Sequence, residues 1–418
     1  MTHGVEPGEP LLARLGISRY RRNDNPPFSV VLALFVDKLT GLRYCGAMLA
    51  DAIDPTVVRR VLVIKLRHHG DVLLATPVFR VLRALIPGVE VDALIYEDSL
   101  DMLRLNPDIA TIHMIDRRTR DLPLVRKIAA EKRLLKALKD RHYELIVHLT
   151  EHPRGALLAR ILRPRYAVAR RYPGRRGRWW RKSFTHLYDV PARQRHTVET
   201  HLDALRRLGL MIPLEEKTVR LAAGPEAWSG VDGRLARAGL AARPFLVIHP
   251  TSRWLFKAWP AASMTALMRQ LLAAGHALVV TSGPDDAERE VIAEILAPLP
   301  PSDALVDWSG TLTLKELAAL LQRARLFIGV DSAPMHMASA MGTPVVAIFG
   351  PSGDQEWAPW RVPARVLTAS SYGCRPCGFA GCGDGQVSEC MGAVGVDEVL
   401  RAITGLLEDT KTRTCASS

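Results

Sequence analysis

The sequence lacks several features that would assign it to a common class of protein. No apolar stretch approaches the roughly 20 residues that a membrane-spanning helix needs, and the longest, from Phe28 to Phe35, is followed by Asp37 and Lys38. Six cysteines in 418 residues are too few for a secreted disulfide framework. Neither the dinucleotide pattern G-x-G-x-x-G nor the nucleoside-triphosphate pattern G-x-x-x-x-G-K-[ST] follows the first predicted strand. These absences favour a cytosolic protein that has neither of the two standard nucleotide-binding loops.

Composition favours a two-domain globular protein with an anionic partner. A chain of 418 residues exceeds the usual limit for one hydrophobic core, and a hydrophobic content of 48% suits a substantial buried interior. The formal net charge is +13. Such an excess of positive charge favours a membrane surface, a phosphorylated substrate or nucleic acid as the partner.

The first 58 residues differ from the rest of the chain. They mix glycine, proline and charged residues around one apolar patch, without strand–helix alternation. They fit a disordered arm, an interfacial anchor, or sequence translated upstream of the true start, since Met48 lies just before the first predicted strand. We expect residues 1–58 to be an extension without a catalytic role.

From residue 59 onward, predicted strands alternate with helices in two successive series. The runs that predict strands are short and apolar. They are Val61–Leu66, Val89–Ile95, Thr111–Ile115, Glu144–His148 and Tyr166–Ala169, then Phe245–His249, Ala277–Thr281, Ala304–Val306, Leu326–Val330 and Val345–Phe349. Helical spacing separates them, notably from Leu122 to Lys139. The pattern predicts an α/β protein with two Rossmann-like, doubly wound domains that face each other across a cleft.

The same alternation predicts the domain limits. The first domain spans residues 59–222, and the glycine- and alanine-rich residues 223–243 form a linker with a short helix. The second domain spans residues 244–395. Residues 396–418 form a C-terminal helix and tail.

The loop Arg67–Asp71 is the most informative segment of the first domain. It follows an apolar strand and precedes a helix, so it lies at the carboxyl edge of the sheet, where open α/β folds bind ligands. It therefore brings the Asp71 carboxylate and the imidazoles of His68 and His69 to the predicted cleft. The alternative is that Asp71 only caps the helix.

In the second domain, the loop at residues 249–260 carries groups suited to an anion. It combines the hydroxyls of Thr251 and Ser252 with Lys257, and Pro260 is well placed as the first residue of the next helix. Free backbone N–H groups at a helix start, with the Lys257 ammonium nearby, form an anion site. A solvated surface lysine is the alternative.

Two further loops follow strands of the second domain. In the loop at residues 282–288, Asp285 and Glu288 open a helix and fit either ribose hydroxyls or simple capping. In the loop at residues 329–336, the backbone amides of Ser332 and Ala333 are accessible to phosphate oxygens because their side chains are small. His336 fits either this site or the buried face of its helix. Three such loops at one sheet edge favour a phosphate site.

These segments resemble glycosyltransferase family 9, whose members transfer heptose from ADP-heptose to the inner core of lipopolysaccharide. The matching pieces are Ile64 to Leu74, His249 to Lys257 and Asp331 to His336. Their R-H-H-G-D and T-S-R-W-L-F-K forms resemble in particular the heptosyltransferase III branch of the family. The resemblance covers roughly residues 59–407, and residues 1–55 match nothing in it.

The resemblance implies a GT-B architecture, with an N-terminal acceptor domain and a C-terminal donor domain. It also implies an inverting, metal-independent transfer without a cofactor. Asp71 would be the general base that removes the proton of the acceptor hydroxyl, and Lys257 would neutralise the diphosphate leaving group. The remaining implied contacts are Arg67, His68 and His69 with the acceptor and Thr251, Ser252, Asp285, Glu288, Asp331, Ser332, Ala333 and His336 with the donor.

The stretch from Arg163 to Lys182 is the most basic in the chain. Six arginines surround Trp179 and Trp180, namely Arg170, Arg171, Arg175, Arg176, Arg178 and Arg181. Clustered arginine with tryptophan suits an anionic membrane surface, here the cytoplasmic face of the inner membrane that carries the acceptor. RNA binding and a solvated loop are the alternatives. We expect peripheral membrane association and no nucleic acid partner.

A cysteine-rich loop follows the last predicted strand. Cys374 and Cys377 form a C-x-x-C knuckle, which is typical of zinc sites. Cys382 and Cys390 continue it with irregular spacing. We therefore expect reduced or redox-sensitive thiols, with a structural metal as the alternative.

Two other functions remain open from the sequence. The chain fits a GT-B glycosyltransferase that uses another nucleotide-sugar donor. It also fits a non-catalytic, basic membrane- or RNA-binding protein on the same scaffold, although Asp71, Lys257 and Asp331 favour an enzyme.

Overall fold

The computed structural model describes residues 49–416 apart from 176, 191–194, 384 and 386, and their side chains apart from those of 120 and 411–416. Most of the predicted extension, residues 1–48, therefore lies outside the described residues. The segment Ala50–Ser418 forms one compact unit. Within it, Ile53 is buried and its N–H donates to the Leu208 carbonyl at 3.0 Å. The end of the predicted extension thus packs with the first domain.

Six parallel strands form the first sheet, in the order β3-β2-β1-β4-β5-β6. They are β1 (Arg60–Ile64), β2 (Glu90–Tyr96), β3 (Ile112–Ile115), β4 (Leu145–His148), β5 (Tyr166–Arg170) and β6 (His186–Tyr188). The helices of this half are α1 (His69–Leu73), α2 (Thr76–Leu85), α3 (Leu124–Asp140), α4 (Pro153–Leu162), α5 (Arg178–Arg181) and α6 (Thr197–Arg207). The central strand β1 is almost wholly buried because helices cover both faces of the sheet.

A second sheet of six parallel strands repeats this pattern, in the order β12-β11-β10-β7-β8-β9. Its strands are β7 (Phe245–His249), β8 (Ala277–Val280), β9 (Leu305–Asp307), β10 (Leu326–Val330), β11 (Val345–Phe349) and β12 (Ala364–Thr368). The helices are α7 (Pro225–Arg237), α8 (Ala261–Ala273), α9 (Asp286–Leu296), α10 (Leu314–Arg323), α11 (Ala333–Ala340), α12 (Asp354–Trp357), α13 (Glu389–Gly392) and α14 (Val396–Ala416). Both sheets therefore present the carboxyl ends of their strands, and the loops that follow, for a ligand site.

Every predicted strand is present within a residue or two of its expected limits. The sequence did not predict the edge strands β6 and β12. β6 has only three residues, and β12 is only partly buried and carries Arg365, so neither shows the apolar run of a central strand. Edge strands bury less apolar surface and leave a weaker pattern in the sequence.

Helices also form much of the predicted linker and of the C-terminal segment. The predicted linker contains α7, whose Trp228 donates to Gln322 at 3.0 Å and whose Asp232 pairs with Arg323 on α10 at 2.7 Å. The longest helix, α14, packs Val399, Ile403 and other apolar residues against the second sheet. Within the part of the chain that is described, no helix combines the length and the apolar character that a membrane crossing requires.

Specific contacts hold the two sheets together within this unit. The Lys315 ammonium, on α10, donates to the carbonyls of Arg104 at 2.9 Å and Ala222 at 2.5 Å. Burial lowers the pKa of Lys315 to about 8. The indole N–H of Trp360, in the loop between α12 and β12, donates to the Lys217 carbonyl at 2.7 Å. These contacts fix the loops of one sheet opposite those of the other.

Candidate active site

The two sheets meet where α1, which follows β1, contacts α11, which follows β10. Gly70 lies at this contact: a Cβ atom on it would come within 3.0 Å of His336 Cδ2 and 3.7 Å of Ala333 Cα. A side chain at position 70 would therefore require the buried His336 ring to shift by a few tenths of an ångström. This close approach brings the predicted first loop, which ends in Asp71, to the start of α11.

Asp71 opens onto a cavity of about 260 Å³. Its side chain is 21% exposed, and its Oδ1 lies 3.3 Å from Lys65 Nζ. His68 is the N-cap residue of α1, and no side chain caps this helix start. Asp71 is therefore not a capping residue, and its carboxylate is accessible from the cavity.

Two residues beside Asp71, Lys65 and His201, were not predicted from the sequence. Lys65 is buried, and its ammonium also contacts the Leu149 carbonyl at 3.3 Å and His201 Nε2 at 3.0 Å. Burial lowers the pKa of Lys65, and the nearby Asp71 opposes that effect. Burial, reinforced by the charge of Lys65, holds the pKa of His201 well below its ordinary value. The only sequence signal was a lysine at the end of an otherwise apolar strand.

The rest of the first loop faces the second domain and the cavity. The His68 ring lies edge-on to Trp254, with ring centroids 6.5 Å apart. Arg67 lines the cavity and pairs with Glu151 at 3.4 Å. Burial, reinforced for His68 by the nearby Arg117, lowers the pKa of both His68 and His69.

The loop after β7 is tied to the loop after β8. Thr251 is fully buried, and its hydroxyl donates to Glu288 Oε2 at 2.6 Å. The same oxygen accepts from the Gly283 N–H at 3.2 Å. Ser252 Oγ bonds to the backbone of Trp254, whereas Asp285 is exposed at the start of α9 and caps nothing. Of the two acids, Glu288 therefore joins the loops and Asp285 stays accessible to solvent.

Lys257 pairs with Asp331 rather than projecting from the surface. Their Nζ and Oδ2 atoms lie 2.6 Å apart, and the two side chains are 21% and 7% exposed. The pair adjoins the start of α11, where Ser332 is the N-cap residue and Ala333 the first helical residue. Helix starts present free N–H groups and partial positive charge, which attract anions. A cation and a helix start thus lie together, as an anion site requires.

His336 lies on the buried side of this arrangement. It is 3% exposed and contacts Gly70, and its ring lies 6.1 Å from that of Trp357. Burial lowers the pKa of His336 to about 4, so the ring is neutral near pH 7. His336 is therefore buried and adjoins the candidate anion site, and its contact with the donor stays a prediction.

The basic segment divides between the cavity and the surface. Arg170 lines the cavity with Asp71, and Arg175 Nε donates to the Glu151 carbonyl at 3.0 Å. Trp180 is buried against Phe184, whereas Trp179 is 44% exposed. The two adjacent tryptophans therefore lie in different environments, and of the two Trp179 is the one accessible at the surface. Arg176 lies outside the described residues.

The four clustered cysteines are free thiols in this structure. Cys390 is buried, and burial raises its pKa, whereas Cys374 is exposed and Cys377 and Cys382 are half-buried. Among the residues that the structure describes, no group of three or more His, Cys, Asp or Glu side chains is placed to hold a metal ion.

Sequence comparison identifies relatives over most of the chain. A model of the family described as glycosyltransferase family 9 (heptosyltransferase) matches residues 132–387. Lipopolysaccharide heptosyltransferase 3 of Escherichia coli is 38% identical over 309 residues, which cover 73% of this chain and 88% of that protein. Lipopolysaccharide heptosyltransferase 1 of Pseudomonas aeruginosa is 24% identical over 76% of this chain and 86% of its own length.

Solved structures share the arrangement of the two sheets. A glycosyl transferase family 9 protein from Veillonella parvula superposes with a TM-score of 0.72 at 21% identity, over 86% of this chain and all of that one. ADP-heptose lipopolysaccharide heptosyltransferase II of Escherichia coli gives a TM-score of 0.67 at 19% identity, over 84% of this chain and 99% of its own. The predicted GT-B fold is thereby confirmed. Since the family model covers more than half of the 418 residues and the relative at 38% identity is matched over 88% of its length, the chain belongs to glycosyltransferase family 9, the heptosyltransferases.

Proposed function

We propose that this protein transfers heptose from ADP-heptose to the inner core of lipopolysaccharide, with inversion at the anomeric carbon. The observation that carries the proposal is the contact between α1 and α11 at Gly70. It puts the accessible Asp71 carboxylate next to the start of α11 and its Lys257–Asp331 pair. A general base and an anion site on opposite sides of one cleft are the two parts that such a transfer needs.

In the proposed reaction, Asp71 removes the proton of an acceptor hydroxyl. The freed oxygen attacks the anomeric carbon from the side opposite the diphosphate, and the bond from that carbon to ADP breaks. A single displacement of this kind inverts the configuration. Because Asp71 is ion-paired with Lys65 yet accessible from the cavity, it suits the role of base.

The leaving diphosphate gains negative charge as its bond breaks. Lys257 and the N–H groups of Ser332 and Ala333 at the start of α11 would stabilise that charge, more strongly in the transition state than in the bound donor. Asp331 would orient the Lys257 ammonium through their 2.6 Å contact. In this metal-independent scheme, the protein supplies the positive charge at the leaving group.

The cavity beside Asp71 suits an anionic acceptor such as the lipopolysaccharide inner core. Arg67, Arg170 and Arg195 line it. Buried Nε atoms of Arg170 and Arg195 have no hydrogen-bond partner among the described residues. Acidic groups of the acceptor would supply partners for these donors. On the donor side, Asp285 and Glu288 are the proposed ribose contacts.

We also propose that the first domain docks on an anionic membrane. Helix α3 exposes Leu124 (71%) and Val125 (79%) among lysines and arginines. Helix α4 lies beside it, through the ion pair between Arg154 and Glu131 on α3. Exposed apolar side chains among cations suit an anionic lipid interface.

Donor preference tests the main proposal. We expect turnover with ADP-heptose to exceed that with UDP- and GDP-sugars by on the order of 100-fold or more, because the site would be built around one base, ribose and sugar. The assay uses a truncated inner-core lipopolysaccharide acceptor, and nuclear magnetic resonance of the product reports the anomeric configuration. Preference for another nucleotide, or retention of configuration, would contradict the corresponding part of the proposal.

The variant Asp71→Asn tests the base. We expect it to fold and bind ADP normally but to lose transfer by about 100- to 10,000-fold, the usual range for general-base catalysis. Initial rates with purified proteins measure the loss. Asp140→Asn, which changes an exposed carboxylate on α3, is the matched control and should retain the wild-type rate. Rapid turnover by Asp71→Asn would exclude the base assignment.

The variant Lys257→Ala tests the diphosphate contact. We expect ADP to bind about 10- to 100-fold more weakly, because a charge-assisted hydrogen bond contributes about 1.5–3 kcal/mol. Titration calorimetry with ADP measures the change. Lys136→Ala, at an exposed ion pair, is the control and should bind ADP as the wild type does. Equal affinities and equal rates would show that Lys257 has no part in donor binding.

The membrane proposal is tested with vesicles that contain anionic phospholipid. Replacing Leu124 and Val125 by serine and reversing Arg178 and Arg181 should weaken binding by on the order of 30-fold or more at low salt, since each cation near an anionic leaflet contributes about 1 kcal/mol. Activity on a small soluble acceptor should be retained. Arg170 is left intact because it lines the cavity.

The control for this experiment changes exposed apolar residues elsewhere. Phe379→Ser with Val387→Ser alters side chains that are 69% and 71% exposed in the cysteine-rich loop. This control should bind vesicles as the wild type does. The membrane proposal would be overturned if the wild-type protein did not bind anionic vesicles at low salt, or if it bound RNA more tightly than the vesicles.

A further inference from the structure

The ammonium of Lys65 has a partner for each of its three N–H groups. They are the Leu149 carbonyl at 3.3 Å, His201 Nε2 at 3.0 Å and Asp71 Oδ1 at 3.3 Å. An ammonium has three donors and no acceptor, so this set exhausts its capacity. The direction of the Lys65 side chain is therefore determined by three separate segments: the end of β4, α6 and α1.

The environment of Lys65 makes its charge depend on Asp71. Its side chain is 7% exposed, and a buried cation is costly unless it is paired and hydrogen-bonded. Among the described residues, Asp71 is the acid that pairs with it.

His201 connects Lys65 to the other end of the helix that carries Asp71. Its Nδ1 lies 3.1 Å from the carbonyl of Leu74, the C-cap residue of α1. A carbonyl oxygen only accepts, so Nδ1 carries the hydrogen and Nε2 accepts from Lys65. The neutral tautomer of His201 thus joins the Lys65 ammonium to the end of α1.

We propose that Lys65 and His201 are positioning residues for the base, a role that rests on the proposed function of Asp71. Lys65 pairs with the Asp71 carboxylate and directs it toward the cavity, and His201 fixes both the Lys65 ammonium and the α1 backbone. Neither residue touches the acceptor hydroxyl or the anomeric carbon. Both residues would hold the Asp71 carboxylate in its reactive orientation before the acceptor binds.

Other ionisable groups surround Asp71, and the test must separate them from Lys65. Those that line the cavity with it are Arg67, Glu151, Arg170, Tyr172, Tyr188, Arg195 and Glu356. His68 and His336 interact with its charge from the first loop and from α11. His196 and the two arginines Arg67 and Arg170 act on the Lys65–His201 pair itself. All of these stay unchanged when Lys65 alone is replaced.

The decisive variant is Lys65→Met, which keeps the length of the side chain and removes its charge. We expect kcat to fall by about 10- to 100-fold, as when a group that supports a functional residue is lost. The acid limb of the pH profile of kcat/KM should move to higher pH, because a carboxylate without its cation is protonated more readily. Raising the pH should therefore restore part of the activity. ADP affinity should match that of the wild type, which a general structural defect would not preserve.

Two variants of His201 form a matched pair. His201→Gln keeps an acceptor oxygen for the Lys65 ammonium and should retain most of the activity and the wild-type pH profile. His201→Leu removes the acceptor and should shift the acid limb in the same direction as Lys65→Met. If Lys65→Met does not fold, as circular dichroism would reveal, this pair decides the question. Equal profiles for His201→Gln and His201→Leu would overturn the proposal.

The double variant Lys65→Met with Asp71→Asn separates this inference from the proposed function. If Lys65 acts through Asp71, the double variant should be no slower than Asp71→Asn alone. Near-wild-type turnover by Asp71→Asn would refute the base itself. An inactive Asp71→Asn together with a wild-type rate and pH profile for Lys65→Met would refute only the positioning role.

Discussion

The rest of the site depends on how closely α1 and α11 approach each other. Gly70 allows this approach because a side chain there would meet His336, which is itself buried. The two helices start at the ends of the central strands of different sheets, so this one contact aligns two otherwise separate halves. A side chain at residue 70 would crowd the contact that makes Asp71 and the start of α11 neighbours.

Each half contributes a lysine–aspartate pair to the cleft. In the first, Lys65 is buried and Asp71 is the accessible member. In the second, Asp331 is buried and Lys257 is the more exposed member. The buried partner in each pair orients the accessible one, so the cleft presents a carboxylate from one side and an ammonium from the other. The proposed chemistry uses these two charges for different steps.

The sequence predicted the features that depend on local pattern. Strands β7, β10 and β11 have their expected limits because each is a run of five buried residues between polar turns. Asp71 and Lys257 were identified because loops after parallel strands lie at a known edge of the sheet. The family resemblance added the roles that it implies for these residues, and their roles remain proposals.

Features that depend on contacts distant in sequence were not predictable in this way. His201 contacts Lys65 from 136 positions away, and Glu288 accepts from Thr251 across 37. Trp179 and Trp180 are adjacent in the sequence, so local pattern does not distinguish them. Packing against Phe184 is what buries Trp180. Arg170 lines the cavity, whereas the neighbouring Arg171 pairs with Asp189 at the surface. Charge and composition indicate the segment, but the tertiary fold assigns each side chain.

The pairing of Lys257 with Asp331 would also affect how readily a bound nucleotide dissociates from the site. A lysine that is already neutralised by a carboxylate attracts simple anions weakly, because an incoming anion must share or replace an existing partner. A ligand with several further contacts would overcome that competition, whereas a small ion such as free phosphate would not. In the proposed reaction, the Asp331 carboxylate would pair with the Lys257 ammonium again as the nucleotide product leaves. The same 2.6 Å contact would then favour both selectivity and product release.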